Sequence, residues 1–191
     1  YRETLGDTTL TIAGEIRFLD RKTSAVLDSA AIQIGSLRWR SVGAVEAELE
    51  GDRLTVSRLT LGMDSGRVEL VGNLRLKENR VDARGALRGV DLARGMGIAE
   101  SAATLGGVAD GEFIVVGPLE DPEIQAELGV LHPRIQGFKG DTLALGLQYM
   151  PGLLSIETAR WAAGGGSISL SGSARPHLTL QDWIRALTLK E

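Results

Sequence analysis

Residues 53–72 read RLTVSRLTLGMDSGRVELVG, and residues 153–172 read LLSIETARWAAGGGSISLSG. In the first stretch Leu54, Val56, Leu59, Leu61 and Met63 lead to a turn at Asp64-Ser65-Gly66, and Val68, Leu70, Gly72 and Leu74 follow. One hundred positions later Leu154, Ile156, Ala159, Trp161 and Ala163 lead to Gly164-Gly165-Gly166, and Ile168, Leu170, Gly172 and Ala174 follow. The correspondence runs without a gap from residues 44–75 to residues 144–175 and is carried by apolar spacing and turn position rather than by identity. A repeated strand–turn–strand unit is the mark of an array in which each unit buries its apolar side against its neighbours. Such an array offers an elongated surface rather than a catalytic pocket.

Working outward, alternation with period two dominates the chain. Leu10, Ile12, Ile16 and Phe18 alternate around Ala13-Gly14, and Ile32 and Ile34 precede Leu37 and Trp39. Val45, Ala47 and Leu49 run into Glu50-Gly51-Asp52, and Leu74 and Leu76 lead through Lys77-Glu78-Asn79 to Val81, Ala83 and Leu87. Val108, Phe113 and Val115 reach a break at Gly117-Pro118, and Ile124, Ala126 and Leu128 reach one at His132-Pro133. Leu143, Leu145, Leu147 and Tyr149 alternate most clearly, before a turn at Pro151-Gly152. The pattern predicts about 13 to 16 strands of five or six residues. Two stretches depart from it. Residues 91–104 are alanine-rich, and Asp91 can cap a short helix weakened by Gly95 and Gly97. Thr179 to Asp182 resembles a capping box before Trp183, Ile184 and Leu187, and a final strand through Leu178 and Leu180 is equally compatible.

The 191 residues are 43% apolar but only 4% aromatic, with 25 glycines, which fits many short strands joined by tight turns. A net charge of −4 and a pI near 5.3 argue against nucleic acid and against a polybasic membrane patch. The absence of cysteine rules out disulfides and thiolate metal sites. No run approaches the roughly 20 apolar residues of a membrane helix. The chain starts at Tyr1 without methionine and stops on Lys190-Glu191, so it is read as a piece of a longer protein. It is treated as one continuous module, residues 1–191, with units at approximately 36–100 and 135–191.

Catalytic signatures are absent from the letters. His132 and His177 each adjoin a proline in an expected turn, and no zinc-protease, nucleophile-elbow or phosphate-loop motif occurs. Gly95-Met96-Gly97 lacks the third glycine of a dinucleotide fingerprint. Glu120, Asp121 and Glu123 around Pro122 read as solvated turn charges, short of the ligand set calcium needs. Ser167, Ser169 and Ser171 lie on the polar face of a strand with no base beside them. The glycines at 164–166 read as a junction needing positive φ. No enzyme activity, cofactor or metal is expected.

In most strands one face is Leu, Val, Ile or Ala and the other Thr, Ser, Arg or Glu. That apolar face must be covered by a second sheet, by barrel closure, or by bending of a long sheet around it. Composition alone favours a sandwich, in which the same residues are plain core. The hundred-residue recurrence and the slender side chains favour the bent sheet. About 14 strands at ~4.8 Å would make it roughly 65–70 Å long.

Two segments resemble a known family. Residues 111–124, GEFIVVGPLEDPEI, end a strand in Gly and an acidic turn in Pro, and residues 143–172 close with a GGG-SISLSG strand. Both are similar to repeat units of the TamB and AsmA-like proteins, and Arg88 to Leu92 resembles the short helical insertion between such units. The resemblance implies an all-β, elongated, bent sheet (a β-taco) with an apolar concave groove and one or two short helices. It implies a periplasmic segment of an inner-membrane-anchored, envelope-spanning protein. Phospholipid acyl chains would be its cargo, and a BamA-type outer-membrane protein would be met through other parts of the chain. Each acyl methylene exposed to water costs about 0.8 kcal/mol, so a 16-carbon tail crossing unshielded would lose roughly 12 kcal/mol. Headgroups would remain in solvent at the open lip, with no basic pocket required.

The lining is expected from Leu54, Val56, Leu59, Leu61, Val68, Leu70 and Leu74, from Phe113 and Val115, and from Leu143, Leu145, Leu147, Leu154, Ile156, Ile168 and Leu170. Two other readings remain. Strand edges could accept unfolded outer-membrane strands by β-augmentation. A β-solenoid enzyme or adhesin would need stacked repeats of about 20–30 residues, which the sequence does not contain.

Overall fold

Alternation with period two becomes hydrogen-bonded ladder over nearly all of the chain that the computed structural model describes, residues 2–5, 8–19, 22–34, 37–63, 66–95 and 105–175. The first strands are β1 (Arg2–Leu5), β2 (Thr8–Leu19), β3 (Lys22–Ile34), β4 (Leu37–Ser41) and β5 (Val45–Glu50). β6 (Arg53–Met63), β7 (Gly66–Arg75) and β8 (Arg80–Asp91) follow, and then a single helical turn, α1 (Leu92–Gly95). The second half holds β9 (Leu105–Pro118), β10 (Glu123–Ile135), β11 (Phe138–Lys139), β12 (Thr142–Met150), β13 (Leu153–Ala163) and β14 (Gly166–Ala174).

All fourteen strands belong to one antiparallel sheet whose main order is β1-β2-β3-β4-β6-β7-β8-β9-β10-β12-β13-β14. β4 and β5 share one position between β3 and β6. β4 pairs with residues 31–34 of β3, and β5 with residues 22–27. Gly43, at φ 84°, lies in the break between them. β11 is a two-residue bridge on the end of β10. Apart from β3–β5, β4–β6 and β10–β12, paired strands are consecutive in the chain, and most are joined by short turns, β8 and β9 being joined through α1.

Among the described residues the strands form a single sheet. Apart from α1, which rests on β8 and β9, the closely packed elements are all hydrogen-bonded neighbours. Among the described residues β1 and β14 stand at opposite ends of the strand order and do not pair with each other. Among the described residues there is neither a second sheet nor closure of this one.

The hundred-residue repeat persists in three dimensions. Glu46 pairs with Arg58 and Gly146 with Thr158, while Ala47 pairs with Val56 and Leu147 with Ile156. Leu54, Val56, Leu59 and Leu61 face Leu74, Gly72, Leu70 and Val68, and Leu154, Ile156, Ala159 and Trp161 face Ala174, Gly172, Leu170 and Ile168. Each copy carries a β-bulge at the same place, Ser57-Arg58 opposite Val71 and Glu157-Thr158 opposite Ser171. A bulge bends its strand and raises the local twist, so both copies bend alike.

Several expectations are corrected. The strands are longer than five or six residues, and most run from 9 to 14. Bulges absorb irregularities that read as breaks. β10 continues through His132-Pro133, because the register shifts there and His132 (φ 50°) donates its backbone N–H to Asp141 O at 3.0 Å. The strand order holds twelve positions rather than about fourteen, which shortens the sheet to about 53 Å at ~4.8 Å per step. Asp91 does cap a helix, accepting the Ala93 N–H at 2.9 Å, but α1 is one turn long. Residues 96–104 and the readings at 178–187 lie outside the described residues.

Candidate functional site: an open apolar face and its rim

Directly opposed residues of an antiparallel pair share a face, so the register assigns every strand position to one side of the sheet. Side by side along one row are Ile16, Ala25, Ala47, Val56, Gly72, Ala83, Val115, Ile124, Tyr149, Leu154 and Ala174. A neighbouring row is Leu59, Leu70, Gly85, Phe113, Ala126, Leu147, Ile156 and Gly172. The next is Leu61, Val68, Leu87, Gly111, Leu128, Leu145, Ala159 and Leu170. Leu54 and Leu74 lie in an outer row with Val81, and Leu143 and Ile168 in another with Trp161. The register thus brings all sixteen expected residues onto one face.

Burial on that face is graded. The most buried apolar residues, Ala30, Val45, Ala83, Val90, Ala109, Val130, Tyr149 and Ala159, all belong to it, and most are small. The larger side chains between them, such as Leu54, Leu70, Phe113, Leu145, Leu147 and Ile156, remain half-buried. Neighbouring rows shelter one another, and among the described residues no second sheet lies over them. Towards the β14 end shelter fails, and Ile168 and Leu170 are 70% and 55% exposed.

Glycine and aromatic residues shape the floor. The ring of Phe113 leans sideways across Gly85, where a β-carbon would overlap it. The indole of Trp161 leans over Gly140 in the same way. Tyr149 fixes the lip, its hydroxyl donating to Asp121 Oδ1 in the turn before β10. Opposite that lip Gly164 and Gly165, at φ 56° and 84°, form the two-residue hairpin loop between β13 and β14.

The other face is polar and charged in bands. β5 presents Glu46, Glu48 and Glu50, and Lys22 reaches Glu48 at 2.6 Å. β6 to β8 present Arg53, Arg67, Arg75, Arg80, Arg84 and Arg88. β9 and β10 present Asp110, Glu112, Glu123 and Glu127, with Arg88 on Glu112 at 3.2 Å. Two depressions are lined largely from this face. One, of about 590 Å³, has Val71, Ala86 and Ile114 among Glu69, Arg84, Arg88, Glu112 and Glu127. The other, of about 280 Å³, lies at the rim beside Arg53, Arg75 and Arg80.

Sequence reading passed over both the arginine row and part of the face. Val81, Ala126, Leu128, Val130 and Trp161 belong to the apolar rows by the same alternation that identified their neighbours. The arginine row becomes visible only when hairpin register aligns residues 53, 75 and 80. Among the described residues no group of His, Cys, Asp or Glu is arranged to hold a metal, and no helix is long and apolar enough to cross a membrane.

No family model, curated protein or solved structure matches the chain.

Proposed function

We propose that this chain is a periplasmic segment of an inner-membrane-anchored, envelope-spanning protein of the TamB and AsmA-like kind, and that its apolar face shields acyl chains of phospholipids in transit. The observation that carries the reading is an apolar face running from β2 to β14 with no second sheet over it among the described residues. Its longest row crosses eleven strand positions from β2 to β14, and two more cross the eight positions from β6 to β14. Monomer surfaces rarely expose more than about 300–600 Å² of contiguous apolar area without using it. An acyl chain suits the rows because Leu, Val, Ile and Ala offer dispersion contact with no polar atom to trap it. In this reading a BamA-type partner meets other parts of the longer protein.

Extraction and mass spectrometry of lipid from the purified chain tests the reading, together with photo-crosslinking from a diazirine residue at Leu147. Phospholipid adducts at Leu147, and none from the polar-face position Gln148, are the expected result. A folded chain that carries no lipid and gives equal adducts at both positions would overturn it.

A second reading, strand capture, is favoured by β14. It pairs on one side only among the described residues and is exposed throughout. Crosslinks from Ser171 to an added outer-membrane-protein peptide would support it.

A further inference from the structure

Arg53 faces Arg75, and Arg75 faces Arg80, so three arginines stand side by side on adjacent strands of the polar face. Neighbouring strands are about 4.8 Å apart, and like charges placed directly opposite repel. Local compensation is thin. Glu78 reaches Arg75 at 3.1 Å across a half-exposed pair, a type of contact that contributes little. Glu50 faces Arg53 across β5 and Asp82 occupies the next rung of β8, but Arg53 and Arg80 enter no ion pair among the described residues. The three arginines border the depression of about 280 Å³ together with Asn73, Asp82 and Val116. Asn73 accepts from Thr55 Oγ1 through Oδ1 at 2.8 Å, which leaves its amide N–H groups as donors.

We infer that this depression binds a phosphate group, as a lipid phosphodiester or as free phosphate. Guanidinium forks hold phosphate oxygens in bidentate pairs, and several forks can share one group. The anion also removes the repulsion along the row. Position adds a further argument. Arg53 and Arg80 begin their strands and Arg75 ends its own, and the adjoining rung is Leu54, Leu74 and Val81 on the apolar face. These two rungs are one residue apart along the strands, about 3.3 Å, but point to opposite faces, so a headgroup held by the arginines brings its acyl chains to the apolar row by passing around the strand ends. This assignment deepens the proposed lipid reading and rests on it only for the source of the phosphate. Asp82 is the opposing charge in the lining, so its neutralisation strengthens binding.

Binding is measured by NMR titration of the whole chain, following arginine Nε–Hε signals, with inorganic phosphate, monomeric dihexanoyl phosphatidylglycerol, and hexanoate as an anion without phosphorus. Phosphate and the lipid are expected to shift Arg53, Arg75 and Arg80, and hexanoate to shift none of them. Arg75→Gln weakens binding about tenfold, Asp82→Asn tightens it several-fold, and Arg58→Gln, on β6 but outside the depression, leaves it within about twofold. Binding of the lipid tighter than phosphate identifies a headgroup site, and equal binding identifies a free-phosphate site. Leu147→Asp separates the two proposals. Retained phosphate shifts with no acyl gain in either protein leave the arginine site standing and remove the apolar conduit. Shifts with hexanoate as large as those with phosphate, no shift with any probe, or equal losses in Arg58→Gln and Arg75→Gln would overturn the assignment.

Discussion

The ring of Phe113 occupies the space that a side chain at position 85 would need. Gly85 and Phe113 are directly opposed on β8 and β9. The aromatic side chain lies along the sheet instead of standing up from it, which keeps the apolar face low at its middle. Gly85→Ala must lift the ring or push the strands apart, and overpacking of this kind costs about 1–3 kcal/mol. Chemical denaturation should show that loss in Gly85→Ala and a smaller one in Gly85→Ala with Phe113→Leu, where the clash with the Glu69 carbonyl oxygen remains. Additive losses would mean the two residues do not share the space.

Leu170 and Leu147 lie on the same face but differ in shelter. Leu170→Asp should leave stability within about 0.5 kcal/mol, as expected of an exposed position. Leu147→Asp, half-buried among Ala126 and Ile156, should lose about 1–3 kcal/mol. Both should reduce the lipid recovered with the chain. Denaturation midpoints and lipid mass spectrometry on the same samples separate the two effects, and unchanged lipid in a folded Leu147→Asp chain would count against the conduit.

Deleting Ser57 should be tolerated. The bulge places Ser57 and Arg58 together opposite Val71, so removing one residue restores plain alternation without moving Val56 or Leu59 to the other face. The chain should fold with nearly unchanged circular dichroism and a flatter sheet, read as a larger maximum dimension in small-angle X-ray scattering. Loss of folding would show that the bulge is needed for pairing rather than for bending.

At the β13–β14 loop, Gly164→Asn should be nearly neutral, because Asn accepts the left-handed conformation seen at φ 56°. Gly164→Val should lose about 1–2 kcal/mol. Thermal melts of the two variants provide the comparison, and equal melting temperatures would contradict the turn geometry.

Removing the Tyr149 hydroxyl should also be measurable. Tyr149→Phe loses the hydrogen bond to Asp121 at a cost of about 0.5–1.5 kcal/mol. The lip near Pro122 should then exchange its amide hydrogens faster, while β6 and β7 are unaffected.

Much of the fold was legible because alternation survives the bulges. The switch from Leu54 and Val56 to Leu59 and Leu61 marks the extra residue in the letters themselves, and the same register shift recurs at Ile156 and Ala159. Strand length was not legible. His132 with Pro133 reads as an ending when it is a register shift inside a continuing strand. Layer number was equally hidden, since Leu147 has the same neighbours in sequence whether a second sheet covers it or not. The arginine row stayed hidden for a different reason. Arg53 and Arg80 are 27 positions apart in the chain and are brought to one rim only through Arg75, by the register of two hairpins.

The matched registers at Val56 and Ile156 have a consequence for how such a chain can change its reach. β6 and β13 are six positions apart in strand order, and an even step preserves both strand direction and facing. A recombination joining the gene at codon 56 to codon 156 would add or delete whole strands with every seam already compatible, in increments of about 29 Å. Span in such a lineage can be altered by counting copies, with no joint to be reinvented.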